Sequence, residues 1–444
     1  MTPPSSLAGA RPAALATSYP VERFTLDNGL RVVLAPDRSA PVVGVAVLYD
    51  VGIRSEPPGR TGFAHLFEHL MFQGSANLEK LAHFRHVQGS GGTFNGSTHL
   101  DYTDYFESLP AGALERALFL EADRMRGPVL TEANLRNQVD VVKEEIRVNV
   151  LNRPYGGFPW LKLPPVMFDT FPNAHDGYGS FEDLESATVA DAAEFFETYY
   201  AAGNAVLVVT GDLDPDQARR LVERHFGDVP ARPAPTRPDF AEPDIMQRRV
   251  SAYEDKLAPL PAVAAAWRVP DPVGDFSSYL PYVVLAEVLT DGDASRLIER
   301  LVQKDRTVTS VGGYLGFMGE PFAVRDPTAL VVQAFLPPGG AVTGVLATID
   351  EELDRLATDG LADGELERTQ ARMVTHLLRD TDAVLGRGLT MAALELQRGD
   401  PELVNQLPRL VGEVTAEQLV AAAATLHADR RASVEVVPGN GGTA

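Results

Sequence analysis

Cysteine is absent from the 444 residues and tryptophan occurs only twice. Without thiols there is no disulfide, no thiolate nucleophile and no cysteine ligand, so any metal has to sit on histidine or carboxylate side chains. The absence suits a reducing compartment, and the chain reads as cytoplasmic. Basic residues are scarce as well: 39 Lys plus Arg stand against 61 Asp plus Glu, a formal net charge of -22. A surface of that sign opposes nucleic-acid backbones and anionic membranes and leans towards cationic or neutral partners. No stretch approaches the roughly 20 apolar residues of a membrane helix. The opening MTPPSSLAGARPAALATSYP has one Arg and no long apolar block, so it reads as a flexible tail rather than a secretory signal.

What is present is a 45% hydrophobic chain, ample for more than one core. RFTLDNGLRVVLAP and VVGVAVLYDVG read as strands, the first pair joined at Asn28-Gly29. NAVLVVTGDLDPDQARRLVERHFGDVP reads as a buried strand, a turn with capping Asp residues and an amphipathic helix. Five prolines between Pro230 and Pro243 then mark a linker. Beyond it, AVAAAWRVPD, TALVVQAFLPPG and ASVEVVP read as strands, with a helical hairpin and two long helices among them. The second half repeats the element order of the first, as after a duplication. The expected fold is α+β: two homologous domains, each a mainly antiparallel sheet with helices packed on one face.

In GFAHLFEHLMFQGS, residues Phe63, Leu66, Phe67, Leu70 and Met71 make one apolar helical stripe, and His65, Glu68 and His69 share the opposite face. Thr61 is placed to cap this helix and Gly74 to end it. Histidines four apart on a helix project side by side, as two imidazole ligands of zinc require, and a glutamate between them can reach a metal-held water. The order His-x-x-Glu-His is the inverzincin signature. A solvated face with two incidental histidines would read the same over five residues, so a third ligand matters. In LRNQVDVVKEEIRVNV, Leu135, Val139, Val142 and Ile146 form a buried stripe, Glu144 points away from it and Glu145 lies on its flank. Gln138, two turns earlier, is a candidate hydrogen-bond partner behind the ligands.

With these residues in hand, the chain resembles the pitrilysin/insulinase family, particularly its short bacterial members and the mitochondrial processing peptidase. That family follows His-x-x-Glu-His with a glutamate ligand about 76 residues later; from His69 to Glu145 is 76 positions. FTLDNGLRVVLAPD, GGTFNGSTHLDYTDYFESLP, LFLEADRM, NRPYGG and FFETYYAAGNAVLVVTGDLD also look like the family. The resemblance implies one Zn2+ per chain on His65, His69 and Glu145, with Glu68 as the general base of a zinc metalloendopeptidase acting on unfolded peptides or leader segments. It also implies that the strand matching TFNGSTH is a sheet edge pairing with extended substrate, with Asn95 and Gly96 at the substrate positions. By itself, Asn95-Gly96 reads as an ordinary turn. His83 and His86 read as surface residues without a carboxylate partner, and His99 beside Asp101 as structural.

The second half departs from the family pattern. Many members carry an arginine and a tyrosine seven residues apart that hold substrate and stabilise the oxyanion; Val302 and Thr309 stand at those positions here. Losing one such donor costs about 100- to 1,000-fold in rate. A divided enzyme follows, in which this chain brings zinc and base and a homologous partner brings Arg and Tyr; a homodimer using Arg300, Arg306 or Tyr314 is the other arrangement. Gln138 replaces a glutamate found in some relatives. The expected layout is a tail over 1–18, a zinc-bearing domain over 19–230, a linker over 231–245, a second domain without metal over 246–438 and a tail over 439–444. The alternatives to a peptidase are a non-catalytic structural subunit and one that captures peptides without cutting them.

Overall fold

A computed structural model of the chain describes residues 18–245 and 247–439. The two flexible-tail expectations, but for Ser18 and Gly439, lie outside the described residues.

The first half forms a six-stranded sheet in the order β1 (Glu22–Thr25), β2 (Arg31–Pro36), β6 (Ala205–Gly211), β3 (Val42–Tyr49), β5 (Thr103–Pro110), β4 (Thr93–Thr98). The second sheet runs β7 (Arg249–Asp255), β11 (Ala432–Pro438), β8 (Ala262–Arg268), β10 (Ala329–Phe335), β9 (Ser310–Leu315). β2 pairs parallel with β6, and β7 with β11, while every later neighbour in both series is antiparallel. The same five-strand topology therefore occurs twice, and the α+β duplication expected from the element order is the architecture.

Helices of the first half are α1 (Phe63–Leu70), α2 (Ala82–Gly89), α3 (Leu114–Arg126), α4 (Glu132–Ile146), the short α5 (Pro164–Met167), α6 (Phe171–Ala174) and α7 (Phe181–Ser186), α8 (Val189–Tyr199) and α9 (Pro215–Phe226). The second half contributes α10 (Phe276–Thr290), α11 (Val342–Asp359), α12 (Glu365–Asp382), α13 (Val384–Arg398), α14 (Leu403–Glu413) and α15 (Ala416–Ala423). Strand period 2 sends Val32 and Leu34 into a core with α1, α3, α4, α8 and α9, and Val33 and Ala35 to the opposite face. That opposite face is covered by the other half of the chain: Met391, Leu394 and Leu396 of α13 lie on it with Val404 and Leu407 of α14. The second sheet is treated reciprocally, its Ala262, Ala264, Ala266, Val434 and Val436 packing against Phe158, Leu163, Met167 and Phe168 from the first half. Both faces of each sheet being buried explains the unbroken apolar runs of β6 and β8.

Strands β7 and β9 and the helices between residues 384 and 423 carried no clear reading in the sequence. The proline-rich stretch from 231 to 245 has neither helix nor strand, yet it is tied down. Phe240 and Ile245 are buried, Arg232 donates to the Tyr200 carbonyl at 2.9 Å, and Arg237 pairs with Asp50 at 2.7 Å and with Asp326.

Candidate metal centre

Helix α1 buries Phe63, Leu66, Phe67 and Leu70 against the first core and turns His65, Glu68 and His69 towards a cleft. Its start differs from expectation. Thr61 does not cap it; Thr61 is bound instead to the Asp183 carboxylate. The cap position is Gly62 at φ 78°, and the buried Glu56 accepts from Gly62 N at 2.8 Å and Ala64 N at 2.7 Å. An anion from outside the helix thus satisfies the first free N–H groups and opposes the helix dipole. The helix also ends before Gly74, at Leu70, with Met71 as its C-cap.

Helix α4, capped by Thr131, lies against α1 and brings Glu145 to the two histidines. Glu145 Oε1 is 3.7 Å from His65 Nε2 and Glu145 Oε2 is 3.4 Å from His69 Nε2. The three residues offer one ligand atom each, all within 4.8 Å of one another. Tetrahedral zinc with N and O ligands at about 2.1 Å sets those atoms roughly 3.4 Å apart, close to both imidazole–carboxylate gaps, so the donor set fits a zinc ion. Burial and the neighbouring His69 bring His65 down to about 4. Burial pulls His69 the same way, but its hydrogen bond with Glu145 and the charge of Glu68 outweigh it and raise His69. That bond, against some burial, holds Glu145 below the usual carboxylate range.

Glu68 is buried beside them and pushed up to about 6, chiefly by burial, with Thr98 Oγ1 donating to its Oε2 at 2.7 Å. Thr98 ends β4, which pairs on one side with β5 and has no strand on the other among the described residues. Asn95 and Gly96 lie opposite Phe106 and Tyr105 within β4, so they form an edge strand, not a turn. A cleft of about 660 Å³ joins His65, Glu68, His69, Gln138, Glu145, Asn95 and Gly96. Gln138 is buried against His69 and helps raise it. Trp160, Tyr178 and Met318 also line the cleft and were not foreseen. Tyr178 Oη donates to Glu145 Oε1 at 3.1 Å, and burial pushes this phenol up to about 12. Its only trace in the sequence is the glycine-flanked HDGYGS.

Val302 and Thr309 are not brought to the cleft: Val302 packs on the second core and Thr309 is exposed, bound to the Phe335 carbonyl. Arg300 is engaged by Asp305, Glu351 and Glu352, and neither Arg306 nor Tyr314 is among the residues lining the cleft. Tyr314 lines a neighbouring cavity with Trp160 and Met318.

The structure overturns one histidine reading and refines another. His83 is buried, not on the surface, with its Nε2 2.7 Å from Glu107, and with Glu121 these residues form a second group close enough to hold an ion. Arg124, paired with Glu121, already places a cation there, and burial pushes Glu107 up to about 7, towards its neutral form. The cluster balances its own charge. His99 pairs with Asp104 at 3.5 Å and Glu320 at 2.9 Å, while Asp101 belongs to Arg54 at 2.6 Å.

Repeated α+β halves, with a metal-type donor set and a buried glutamate beside a free sheet edge, define a two-domain metallopeptidase scaffold. The chain belongs to the insulinase family, peptidase family M16. Residues 31–154 match the family model described as "Insulinase (Peptidase family M16)" and residues 186–373 the one described as "Peptidase M16 inactive domain". The chain is 31% identical over 366 residues to "Zinc protease PqqE" of Helicobacter pylori, covering 82% of this chain and 80% of that one. It is 29% identical over 257 residues to "Cytochrome b-c1 complex subunit 1, mitochondrial" of Homo sapiens, covering 56% and 52%. In fold it resembles the crystal structure of a protease from Helicobacter pylori, at TM-score 0.88 and 24% identity over 95% of this chain and all of that one. No helix of the described residues is long and apolar enough to cross a membrane.

Proposed function

We propose that the chain is the zinc-bearing subunit of a metalloendopeptidase that hydrolyses unfolded peptides or leader segments. The observation that carries this is the spacing of His65, His69 and Glu145, 3.4 to 3.7 Å across each imidazole–carboxylate gap, with Glu68 buried next to them. His65, His69 and Glu145 would hold zinc, which when bound acidifies water and polarises a peptide carbonyl. Asn95, Gly96 and the rest of the β4 edge bind an extended substrate through main-chain hydrogen bonds, which tolerate many sequences. Glu68 takes a proton from the attacking water and returns it to the leaving amine; burial brings it near the working pH, where a base is most effective. Gln138 supports His69 from behind.

The domain limits proposed are 19–230 for the metal-bearing unit and 246–438 for its metal-free counterpart. None of Arg300, Val302, Arg306 and Thr309 lines the cleft, which supports a homologous partner as the source of the oxyanion donors. The test is Glu68→Gln in the zinc-loaded chain, with and without its partner. Peptide turnover should fall at least about 100-fold, the usual contribution of a general base, while zinc content and thermal stability stay near wild type. Native mass spectrometry of the same samples reads zinc and assembly state together. A second reading, a non-catalytic or peptide-capturing subunit, draws on the similarity to a cytochrome b-c1 complex subunit and on the "inactive domain" match. It predicts identical peptide recovery for wild type and Glu68→Gln.

A further inference from the structure

Glu145 differs from the two histidines in how it is held. His65 and His69 are one turn apart on a single helix, so the backbone fixes their relation. Glu145 arrives from α4 on a flexible stem with 29% of its side chain exposed, and its two oxygens face different histidines. One neighbour fixes it: Tyr178 Oη donates to Oε1 at 3.1 Å. The Asn149 side chain, one turn beyond Glu145 where α4 opens into a wider π-type turn over Arg147–Leu151, lies near the same phenol and counters part of the rise that burial gives it.

The Tyr178 ring is equally constrained. It packs edge-on against His65 at 5.2 Å and beside Trp160 at 5.4 Å between centroids. Its backbone is wedged against the start of α1: a Cβ on Gly62 would stand 2.2 Å from the Tyr178 carbonyl oxygen, and one on Gly179 would stand 2.1 Å from the Thr61 carbonyl. The close approach needs glycine on both sides. His175, three residues earlier, is bound to Glu56 at 3.0 Å, the carboxylate that caps α1. The loop that carries Tyr178 is therefore fastened to the helix bearing both histidines, while its hydroxyl reaches the helix bearing Glu145.

We propose that Tyr178 is the positioning residue of the centre: it sets the Glu145 carboxylate at its distance from His65 and His69, with Asn149 as the hydroxyl's polar neighbour. This rests on the zinc reading of the three ligands. A carboxylate held in advance loses less rotamer freedom when it binds an ion, and such outer partners typically account for about 10- to 100-fold in metal affinity.

The test is zinc affinity of the full chain by chelator competition, for wild type, Tyr178→Phe and Asn149→Ala, with turnover at saturating zinc measured in parallel. Tyr178→Phe keeps the ring and its packing on His65 and removes only the donor. The expected result is zinc bound about 10- to 100-fold more weakly, with KM unchanged and most of kcat recovered once the site is filled. Asn149 is exposed, so Asn149→Ala provides a variant that folds even if Tyr178→Phe does not, and it should weaken zinc several-fold. Wild-type affinity in both variants overturns the proposal. So does unchanged affinity with a lost kcat, which moves Tyr178 from the metal to the substrate. Failure of the wild-type chain itself to bind zinc removes the metal reading instead, and the two failures are told apart by that control.

Discussion

Thr98 and Glu68 show how one hydroxyl tunes the base. Burial pushes Glu68 up to about 6, and the bond from Thr98 opposes that rise by favouring the carboxylate. A hydrogen bond to a charged group contributes about 1.5–3 kcal/mol, and one pH unit is about 1.4 kcal/mol. Thr98→Ala should therefore raise Glu68 further and move the acid limb of kcat/KM upward by about one pH unit, because Glu68 works only when unprotonated. An acid limb that stays in place would separate Thr98 from the base. At this scale the sequence is informative where residues share a helix: His65, Glu68 and His69 follow from 3.6 residues per turn, whereas the stripe of α4 only sets Glu145 on its flank and the family resemblance makes it the third ligand. Tyr178, Trp160 and Met318 come from loops whose meeting point is set by tertiary packing, and no periodicity marks them. His83 misled for a related reason, since its partner Glu107 lies on a strand 24 residues away that only folding brings near.

Helix α1 depends on an element outside itself. A helix of eight residues is too short to be stable alone, and its first N–H groups are satisfied by Glu56, which has no side-chain exposure and also binds His175. Glu56→Ala strands two buried donors at about 1–3 kcal/mol each, offset in part by no longer burying a carboxylate that burial already pushes up. A net loss of about 2 kcal/mol in unfolding free energy, read from the urea midpoint at unchanged slope, is the expected outcome. Because His65 lies on the first turn, zinc affinity should fall too. A stable variant with wild-type affinity would show that the cap is dispensable. The sequence offered Thr61 as the cap because it precedes the helix, whereas the residue that caps is supplied by a turn folded back on it. Asn95-Gly96 taught the converse lesson: a dipeptide with strong turn preference lies in a strand because β5 pairs with it along its length.

Across the whole molecule the two halves are interlocked rather than merely tethered. Each sheet gives one face to its own helices and the other to elements from the opposite half, an exchange the repeat pattern could not reveal because it concerns how copies pack, not how each folds. Polar contacts follow the same seam: Arg54 reaches Asp101 and the Pro327 carbonyl, and Arg325 reaches Asp50. His99 is a titratable member of the seam, next to the cleft, stacked on Tyr102 with ring centroids 4.1 Å apart and bound to Glu320 of the second half. Burial alone would lower it, but the carboxylates of Asp104 and Glu320 outweigh burial and carry it up to about 10. A histidine raised above its unfolded value of about 6.5 keeps its proton in the folded state only, so its stabilisation is complete below about pH 6.5 and is lost as pH rises towards about 10. Glu320→Gln removes one carboxylate and should lower His99. The variant should therefore melt below wild type at pH 6.5, and the gap should close as both approach pH 10, where wild type has lost the same proton. A gap that stays constant across that window would mean Glu320 stabilises the seam by packing or by its neutral contacts, with His99 titrating elsewhere.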